Sequence, residues 1–199
     1  MRDENAEATD ASPRTPEDAP DASGPVTDPK NPDPKNIVLT GFMGTGKSTV
    51  GKILAGRLGL KHLDTDQLIE RRHGPIPRIF EQLGETGFRE IERAIAEELA
   101  CDEGYVISTG GRLMIDPGNA DLLSEGNRVF CLVADVDIIF ERVMRRRGSR
   151  PILNVDDPRA RIEELLAERA AGYARFEAVP TDENPASRVV DDILRRLGQ

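Results

Sequence analysis

The stretch "GFMGTGKSTV", which follows the short apolar run "NIVLT", has the residue types and spacing of a phosphate-binding loop. Gly41 and the triplet Gly46-Lys47-Ser48 fit the pattern G-x-x-x-x-G-K-[ST]. Glycines allow backbone amides to surround a β-phosphate, Lys47 adds a positive charge near the β- and γ-oxygens, and the Ser48 hydroxyl can ligate Mg²⁺. The pattern therefore predicts a nucleoside triphosphate site. Its predicted contacts are Gly44, Thr45, Gly46, Lys47, Ser48 and Thr49.

Two carboxylates, Asp64 and Asp66, stand in the sequence "LDTD" at the end of a second strand candidate. In an extended chain, residues i and i+2 point to the same side, so both carboxylates can face the γ-phosphate. One could hold Mg²⁺, directly or through water, while the other accepts a proton from an attacking hydroxyl. Asp66 has a second interpretation, in which it only caps a helix that begins at Gln67. Beside a phosphate-binding loop, the pair favours phosphoryl transfer.

The elements that must position these residues alternate between strand and helix patterns, as is typical of a parallel sheet with crossover helices. The strand candidates are residues 37–40, 62–64, 105–109, 129–134 and 178–181. The helix candidates are residues 47–58, 66–72, 76–83, 88–100, 136–146, 159–175 and 187–197. We therefore expect an α/β fold with a five-stranded parallel sheet flanked by helices.

Ligands of open parallel sheets bind beside the carboxyl ends of the strands, which right-handed crossovers bring to one edge. The polar residues that follow the predicted strands are 41–48, 64–66, 110–112 and Asp135. We expect these groups to form the site. Pro180 lacks an N–H for the strand ladder, so the last strand should lie at the side of the sheet.

The first 35 residues differ in composition from the rest of the 199-residue chain. They contain seven of the fourteen prolines, nine acidic and four basic residues, and almost no large apolar side chains. Such a segment cannot bury enough surface to offset its loss of conformational entropy. We predict a disordered acidic tail over residues 1–35 and a single domain over residues 36–199.

Composition also limits the location and the partners of the chain. The first residues of the sequence lack the basic and apolar regions of a signal peptide, and none of its apolar runs is long enough to span a membrane. We therefore expect a cytoplasmic protein with no membrane partner. A net charge of −9 argues against nucleic-acid binding. Cys101 and Cys131 form no C-x-x-C pair and are expected to be core thiols in a reducing compartment. We expect a monomer whose partners are small molecules.

The motifs taken together are similar to those of one kinase family. The base-reading N-K-x-D motif of GTPases is absent from the sequence. The segments "GFMGTGKSTVGKILAGRLGLKHLDTDQLIE", "IFEQLGETGFREIE", "VISTGG", "RP" and "LLAERAAGY" follow one another as in shikimate kinase, and the chain resembles that family from residue 36 to residue 198. The resemblance implies ATP- and Mg²⁺-dependent phosphorylation of the 3-hydroxyl of shikimate, a step of aromatic amino-acid biosynthesis. It also implies a P-loop NTPase-type three-layer fold with a mobile lid.

The resemblance assigns roles on the nucleotide side of the site. Lys47 would contact the transferring phosphate, and Ser48 would ligate the magnesium with Asp64 as a more distant partner of the metal. Arg150 matches the lid arginine that closes on ATP. The "ENPAS" stretch matches the loop that borders adenine.

On the acceptor side, the resemblance makes Asp66 both the ligand of the substrate hydroxyls and the catalytic base. Arg89, in "GFREIE", and Arg169, in "ERAAGY", would bind the shikimate carboxylate through charge-assisted hydrogen bonds. Gly110 and Gly111 would approach the ring hydroxyls through their backbone. The predicted catalytic set is Lys47, Asp66 and Arg150.

Two positions depart from the family's usual pattern, which has a glycine in place of Arg112 and a proline in place of Ala171. Arg112 lies in the predicted acceptor site. Its side chain could block shikimate, pair with a nearby acid, or supply a third cation for a more anionic acceptor. Two alternatives therefore stay open: a related kinase of another polyhydroxy acid, and a kinase-like sensor that binds its ligand without turnover.

Overall fold

The central sheet has five strands, all parallel, in the order β2-β3-β1-β4-β5. The computed structural model describes residues 34–145, 153, 155–182 and 185–199. The strands are β1 (Asn36–Gly41), β2 (Lys61–Asp64), β3 (Tyr105–Ser108), β4 (Arg128–Val133) and β5 (Glu177–Pro180). The predicted α/β fold is confirmed, and each predicted strand boundary lies within one residue of the observed one.

The helices of the described residues connect these strands. They are α1 (Lys47–Leu58), α2 (Thr65–His73), α3 (Ile76–Cys101), α4 (Pro117–Ser124), α5 (Val136–Met144), α6 (Pro158–Tyr173) and α7 (Ala186–Arg196), with a 3₁₀ turn over Leu113–Ile115. The two helices predicted over residues 76–83 and 88–100 are both parts of α3. Gly84 separates them, since its φ of 66° and ψ of −171° are not helical. The break is thus local, and α3 continues beyond it.

The helix α4 is absent from the sequence-based prediction. It is short, and it begins with Pro117-Gly118, a pair that is also typical of turns. The available signal was Asp116, whose side chain accepts a hydrogen bond from the backbone N–H of Asn119 and caps the helix. Proline is favoured in the first turn of a helix, so Asp-Pro at this point indicates a helix start as well as a turn.

Successive residues of β1 point to opposite faces of the sheet, and each face has its own apolar cluster. Ile37 and Leu39 pack in a cluster with α1 and α7. Val38 packs in a second cluster with α3 and α4. A third cluster, which includes Phe42 and Cys131, lies against α5 and α6. Helices thus cover both faces of the sheet, and the carboxyl ends of the strands remain open for a site.

Several smaller predictions have clear outcomes. The strand β5, which contains Pro180, lies at the side of the sheet as expected. Cys131 is buried, whereas Cys101 is exposed, so the prediction of two core thiols is wrong for Cys101. That residue ends α3, beyond the last buried turn at Leu99. None of the described helices is long and apolar enough to cross a membrane.

The predicted tail lies almost entirely outside the described residues. Lys35, at the predicted boundary, already pairs with the domain: its N–H donates to the carbonyl oxygen of Gly126, and its own carbonyl accepts from Gly104. Asn36 then begins β1. The division into a tail and one domain stays a prediction.

Candidate active site

The loop between β1 and α1 has a backbone conformation that depends on its glycines. Gly41, Gly44 and Gly46 have φ angles of 130°, 85° and 95°, in a region that residues with a side chain rarely occupy. At Gly41, a Cβ would also lie 2.2 Å from the carbonyl oxygen of Leu132. The loop leads to the amino end of α1, where N–H groups without a partner in the helix attract anions.

Side chains of this loop stabilise its conformation. The Nζ of Lys47 donates to the carbonyl oxygens of Gly41 at 2.8 Å and of Phe42 at 3.0 Å, which holds the ammonium over the loop. Thr45 is buried, and its hydroxyl donates to the same Phe42 carbonyl at 2.8 Å. Its side chain therefore supports the loop, and a contact from Thr45 to a nucleotide would come from its backbone. Thr49 is exposed and lines the cavity.

Ser48 and Asp64 form a close polar pair beside the loop. The Ser48 hydroxyl donates to Oδ2 of Asp64 at 2.6 Å. The other carboxylate oxygen, Oδ1, accepts from the backbone N–H of Gln67 at 3.3 Å and caps α2. The cap of this helix is thus Asp64, and the alternative in which Asp66 only caps it is wrong. Hydroxyl and carboxylate oxygens are the ligand types that Mg²⁺ prefers, so the pair fits a magnesium site.

Asp66 lies in the first turn of α2, against the end of β3. A Cβ at Gly110 would be 2.4 Å from Oδ1 of Asp66 and 3.4 Å from Oε1 of Glu92. The backbone N–H of Gly110 donates to the hydroxyl of Thr65 at 2.8 Å, which ties the two segments together. Gly110 is therefore required for space, because only a residue without a side chain allows the Asp66 carboxylate this position.

The second glycine of the pair is held by α6. The hydroxyl of Tyr173 donates to the carbonyl oxygen of Gly111 at 2.7 Å. Burial raises the pKa of Tyr173 to about 12, although the neighbouring charge of Arg169 opposes the shift. Tyr173 therefore remains a neutral donor at physiological pH. This bond fixes the position of Gly111 relative to the helix that carries Arg169.

Arg89, on α3, is held by two carboxylates. One terminal nitrogen donates to the buried Glu92, and the other donates to Oε1 of Glu85 at 3.1 Å. Burial lowers the pKa of Arg89, but the charges and hydrogen bonds of Glu92 and Glu85 outweigh it, so the net shift is upward. Burial also raises the pKa of Glu92, against the opposing effect of Arg89. The guanidinium lies 5.3 Å from the ring centroid of Phe88. Arg89 is thus fixed and fully charged.

Arg169 is the second cation of the predicted carboxylate site, and it is only 3% exposed. Its guanidinium lies 5.4 Å from the ring centroid of Phe42, in the P-loop. Within the described part of the chain, the buried Nε atoms of Arg169 and Arg89 have no hydrogen-bond partner. Buried donors without a partner cost free energy, which suits a pair of cations that bind an anionic ligand.

One cavity of about 1080 Å³ joins most of these groups, although Gly110, a predicted substrate contact, is buried and is not part of its lining. It is lined by residues 43–50 of the loop and α1, and by Asp64, Asp66, Arg89, Gly111 and Arg169. The phosphate loop, the carboxylate pair and both arginines therefore open onto the same space at the carboxyl edge of the sheet. Arg150 and the predicted lid lie outside the described residues. Part of the "ENPAS" stretch is described, and Ala186 from that stretch lines the cavity.

Two residues of the site were missed by the sequence analysis. Glu92 follows Arg89 by three positions, a spacing that favours an ion pair on one helix face and was the available signal. Arg142, on α5, donates to the Gly44 carbonyl at 3.4 Å and to the Thr181 hydroxyl at 3.1 Å. It connects the phosphate loop to the end of β5. Nothing in the sequence distinguishes Arg142 from the other arginines near it.

Arg112 pairs with an acid, which was one of its three predicted possibilities. One terminal nitrogen donates to Oε1 of Glu85 at 3.0 Å, and the other lies 4.0 Å from Oε1 of Glu168. The side chain lines the cavity and is 38% exposed. Arg112 therefore lies at the rim of the cavity with its charge already partnered.

The comparisons with known proteins agree on one family. A family model described as shikimate kinase matches residues 43–198. The chain belongs to the shikimate kinase family. The shikimate kinase of Thermus thermophilus is 42% identical over 163 residues, covering 81% of this chain and 89% of that protein. The shikimate kinase of Pseudomonas fluorescens is 43% identical over 168 residues, covering 83% of this chain and 97% of that protein.

Among solved structures, the shikimate kinase of Acinetobacter baumannii, in complex with shikimate, is similar to this chain. Its TM-score is 0.78 at 35% sequence identity, and the match covers 83% of this chain and 94% of that chain. Membership of the shikimate kinase family confirms the resemblance and the enzyme class, a small-molecule kinase that transfers a phosphoryl group. The family uses ATP as co-substrate. The roles of individual residues stay predictions.

Proposed function

We propose that this chain catalyses the ATP- and Mg²⁺-dependent phosphorylation of the 3-hydroxyl of shikimate to shikimate 3-phosphate, the reaction inferred from its family. The observation that carries the proposal is the single cavity that joins the phosphate loop, Asp66 and two arginines in a chain of this family. That arrangement supports a phosphate donor and an anionic hydroxyl acceptor in one space. We further propose that the chain is a cytoplasmic monomer whose partners are small molecules.

On the donor side, the backbone amides after Gly44 and at the start of α1 would hold the ATP phosphates. Lys47 would neutralise charge on the transferring group, where electrostatic stabilisation contributes most. Ser48 and Asp64 would hold Mg²⁺, because their oxygens already lie together beside the loop. When bound, the metal ion supplies positive charge to the β- and γ-phosphate oxygens.

On the acceptor side, Arg89 and Arg169 would bind the shikimate carboxylate and Gly111 would contact a ring hydroxyl. Asp66 would accept the proton of the 3-hydroxyl as its oxygen attacks the γ-phosphorus. The bond between the γ-phosphorus and the oxygen that bridges it to the β-phosphate breaks, and ADP leaves with the electron pair of that bond on the bridging oxygen. Arg150 is proposed to close over the nucleotide and exclude water, a role that rests on the resemblance alone.

The two alternatives have less support. A changed acceptor would need a third cation in the site, but the guanidinium of Arg112 is paired with Glu85 at the rim. A sensor that binds its ligand without turnover would not need the residues that act in phosphoryl transfer. Here Lys47, Asp64 and Asp66 all line the cavity.

A panel of acceptors tests the proposal. ADP release would be measured with ATP and Mg²⁺ in the presence of shikimate, quinate, gluconate or no acceptor. We expect rapid ADP release with shikimate only, since the chain belongs to the shikimate kinase family, whereas quinate and gluconate share the carboxylate and a 3-hydroxyl but differ from shikimate in the shape of their carbon skeleton. Turnover with gluconate or quinate but not shikimate would favour the changed acceptor. Binding of shikimate without ADP release would favour the sensor.

A further inference from the structure

Arg112 and Arg89 share one carboxylate. Oε1 of Glu85 accepts a hydrogen bond from Arg89 at 3.1 Å and another from Arg112 at 3.0 Å. The Glu85 side chain is 56% exposed, whereas that of Glu92, which also binds Arg89, is 3% exposed. Of the two carboxylates on Arg89, only Glu85 has the freedom to move.

The position of Arg112 connects the elements that carry the proposed carboxylate site. Arg112 follows the glycine pair at the end of β3, and Glu85 follows the non-helical Gly84 within α3. Its other neighbour, Glu168, directly precedes Arg169 on α6. Arg112 thus contacts the acids beside both proposed carboxylate-binding arginines, while the arginines themselves face the cavity.

Binding of an acceptor carboxylate has a cost in this arrangement. Both terminal nitrogens of Arg89 already donate to acids, one to Glu92 and one to Glu85. An acceptor carboxylate can reach N–H groups of Arg89 that these acids do not use, such as the buried Nε, but its charge then lies close to the charge of Glu85, the exposed partner. Two carboxylates on one guanidinium also repel each other. Since Arg112 holds Glu85 from the other side, Glu85 can leave Arg89 without losing a cationic partner.

We propose that Arg112 is a positioning residue for acceptor binding. It holds the Glu85 carboxylate when that carboxylate moves away from Arg89, and so allows Arg89 to bind the carboxylate of the acceptor. Arg112 does not touch the acceptor; it acts through Glu85. The proposal rests on the proposed function in one respect, namely that Arg89 binds an acceptor carboxylate. The hydrogen bond and charge of Arg89, and to a smaller extent the charge of Arg112, lower the pKa of Glu85, so Glu85 is an anion at neutral pH and repels the acceptor carboxylate.

A double-mutant cycle tests this proposal. The Kd for shikimate would be measured by calorimetry, and KM and kcat by ADP release, for wild type, Arg112→Gly, Glu85→Gln and the double variant. Exposed ion pairs change affinities by about two- to five-fold. We expect Arg112→Gly to raise Kd and KM by about that factor with kcat unchanged, and Arg112→Lys to restore much of the loss. Glu85→Gln should lower Kd, and in its background Arg112→Gly should have no further effect.

Two controls make the test specific. Methyl shikimate lacks the carboxylate, so its affinity should not respond to Arg112→Gly. Arg57→Ala removes a similarly exposed ion pair with Asp191, neither residue of which lines the cavity, and should leave Kd unchanged. Melting temperatures identify variants that fail to fold, and Arg112→Gln, which also removes the positive charge, then replaces Arg112→Gly.

The outcomes separate the proposal from the proposed function. An equal loss from Arg112→Gly with and without Glu85→Gln would show direct contact between Arg112 and the acceptor and would overturn the proposal. An unchanged Kd for Arg112→Gly would overturn it as well. If the Kd values for shikimate change as expected across the cycle but no ADP is released, the positioning role is supported and the proposed kinase function is wrong. If wild type does not bind shikimate, both fail.

Discussion

The two halves of the cavity are built in different ways. The donor half is lined by residues 43–50 and Asp64, and most of it is backbone from one continuous segment, held by glycines with positive φ. The acceptor half is lined by Asp66, Arg89, Gly111 and Arg169, with Gly110 buried against Asp66, and these residues come from α2, α3, the segment after β3, and α6. The donor half thus depends on local conformation, whereas the acceptor half depends on ion pairs and space between distant segments. Substitutions should therefore have different signatures in the two halves.

The largest effect should come from Asp66, the proposed base of the acceptor half. Asp66→Asn should lower kcat by about 10²- to 10⁴-fold, the usual contribution of a general base, while ATP affinity stays close to that of wild type. Single-turnover kinetics and ATP titration would measure the two quantities. Asp121→Asn, at an exposed carboxylate paired with Arg175, is the control and should leave both unchanged. Loss of ATP binding in Asp66→Asn would instead assign Asp66 to the metal.

A slightly smaller loss is expected from Lys47, in the donor half. Lys47→Ala should reduce phosphoryl transfer by about 10²- to 10³-fold without unfolding the chain, because the ammonium acts on charge that develops at the transferring group. Lys52→Ala, at an exposed position of the same helix, provides the matched control. Near-normal turnover of Lys47→Ala would overturn the assignment of the phosphate loop.

The glycine pair allows a comparison between adjacent residues of the acceptor half. A Cβ at Gly110 would lie 2.4 Å from Asp66, whereas the nearest atom to a Cβ at Gly111 is a nitrogen of Arg169 at 3.6 Å, an ordinary contact. Gly110→Ala should therefore displace the base and lower kcat by about ten- to a hundred-fold. Gly111→Ala should act mainly on the KM for shikimate, with a smaller effect. Equal kcat values for the two variants would contradict the proposed position of Asp66.

The smallest effect is expected outside both halves, in the acidic tail. Deletion of residues 1–34 should leave the melting temperature and kcat nearly unchanged, because the composition of the tail offers little apolar surface to pack. The deletion keeps Lys35, whose backbone pairs with Gly104 and Gly126. Thermal unfolding and ADP release would measure the outcome. A fall of several degrees would show that the tail packs on the domain.

The difference between the halves also explains what the sequence could predict. The spacing of Gly41, Gly46 and Lys47 defines a backbone conformation within one segment, and the helix after the loop was predicted with its observed bounds, Lys47–Leu58. The three central strands, β1, β3 and β4, were also predictable, because they are short and mainly apolar runs. The partners of Arg89 could not be predicted, because a glutamate on a helix is usually solvated. The burial of Glu92 follows only from the packing of α3.

The group that Arg112 contacts could not be predicted from the sequence either. Three possibilities fitted its position, and they differ only in which distant group the guanidinium meets. Glu85 stands 27 residues earlier in the chain, and the break at Gly84 within α3 precedes it directly. Ion pairs between exposed side chains of separate elements have no periodicity or motif to indicate them. The assignment of Arg112 therefore required the structure.

In the proposed reaction, the cavity holds ATP on the phosphate loop and an acid on Arg89 and Arg169, and the γ-phosphoryl group passes to the 3-hydroxyl of that acid. Phosphorus NMR of a mixture of enzyme, ATP, Mg²⁺ and shikimate follows this transfer at the reacting atoms. We expect loss of the γ-phosphate signal of ATP and a matching new phosphomonoester signal, coupled to the proton at carbon 3 of shikimate. An ester at another hydroxyl, inorganic phosphate alone, or unchanged ATP would show that the proposed reaction is wrong.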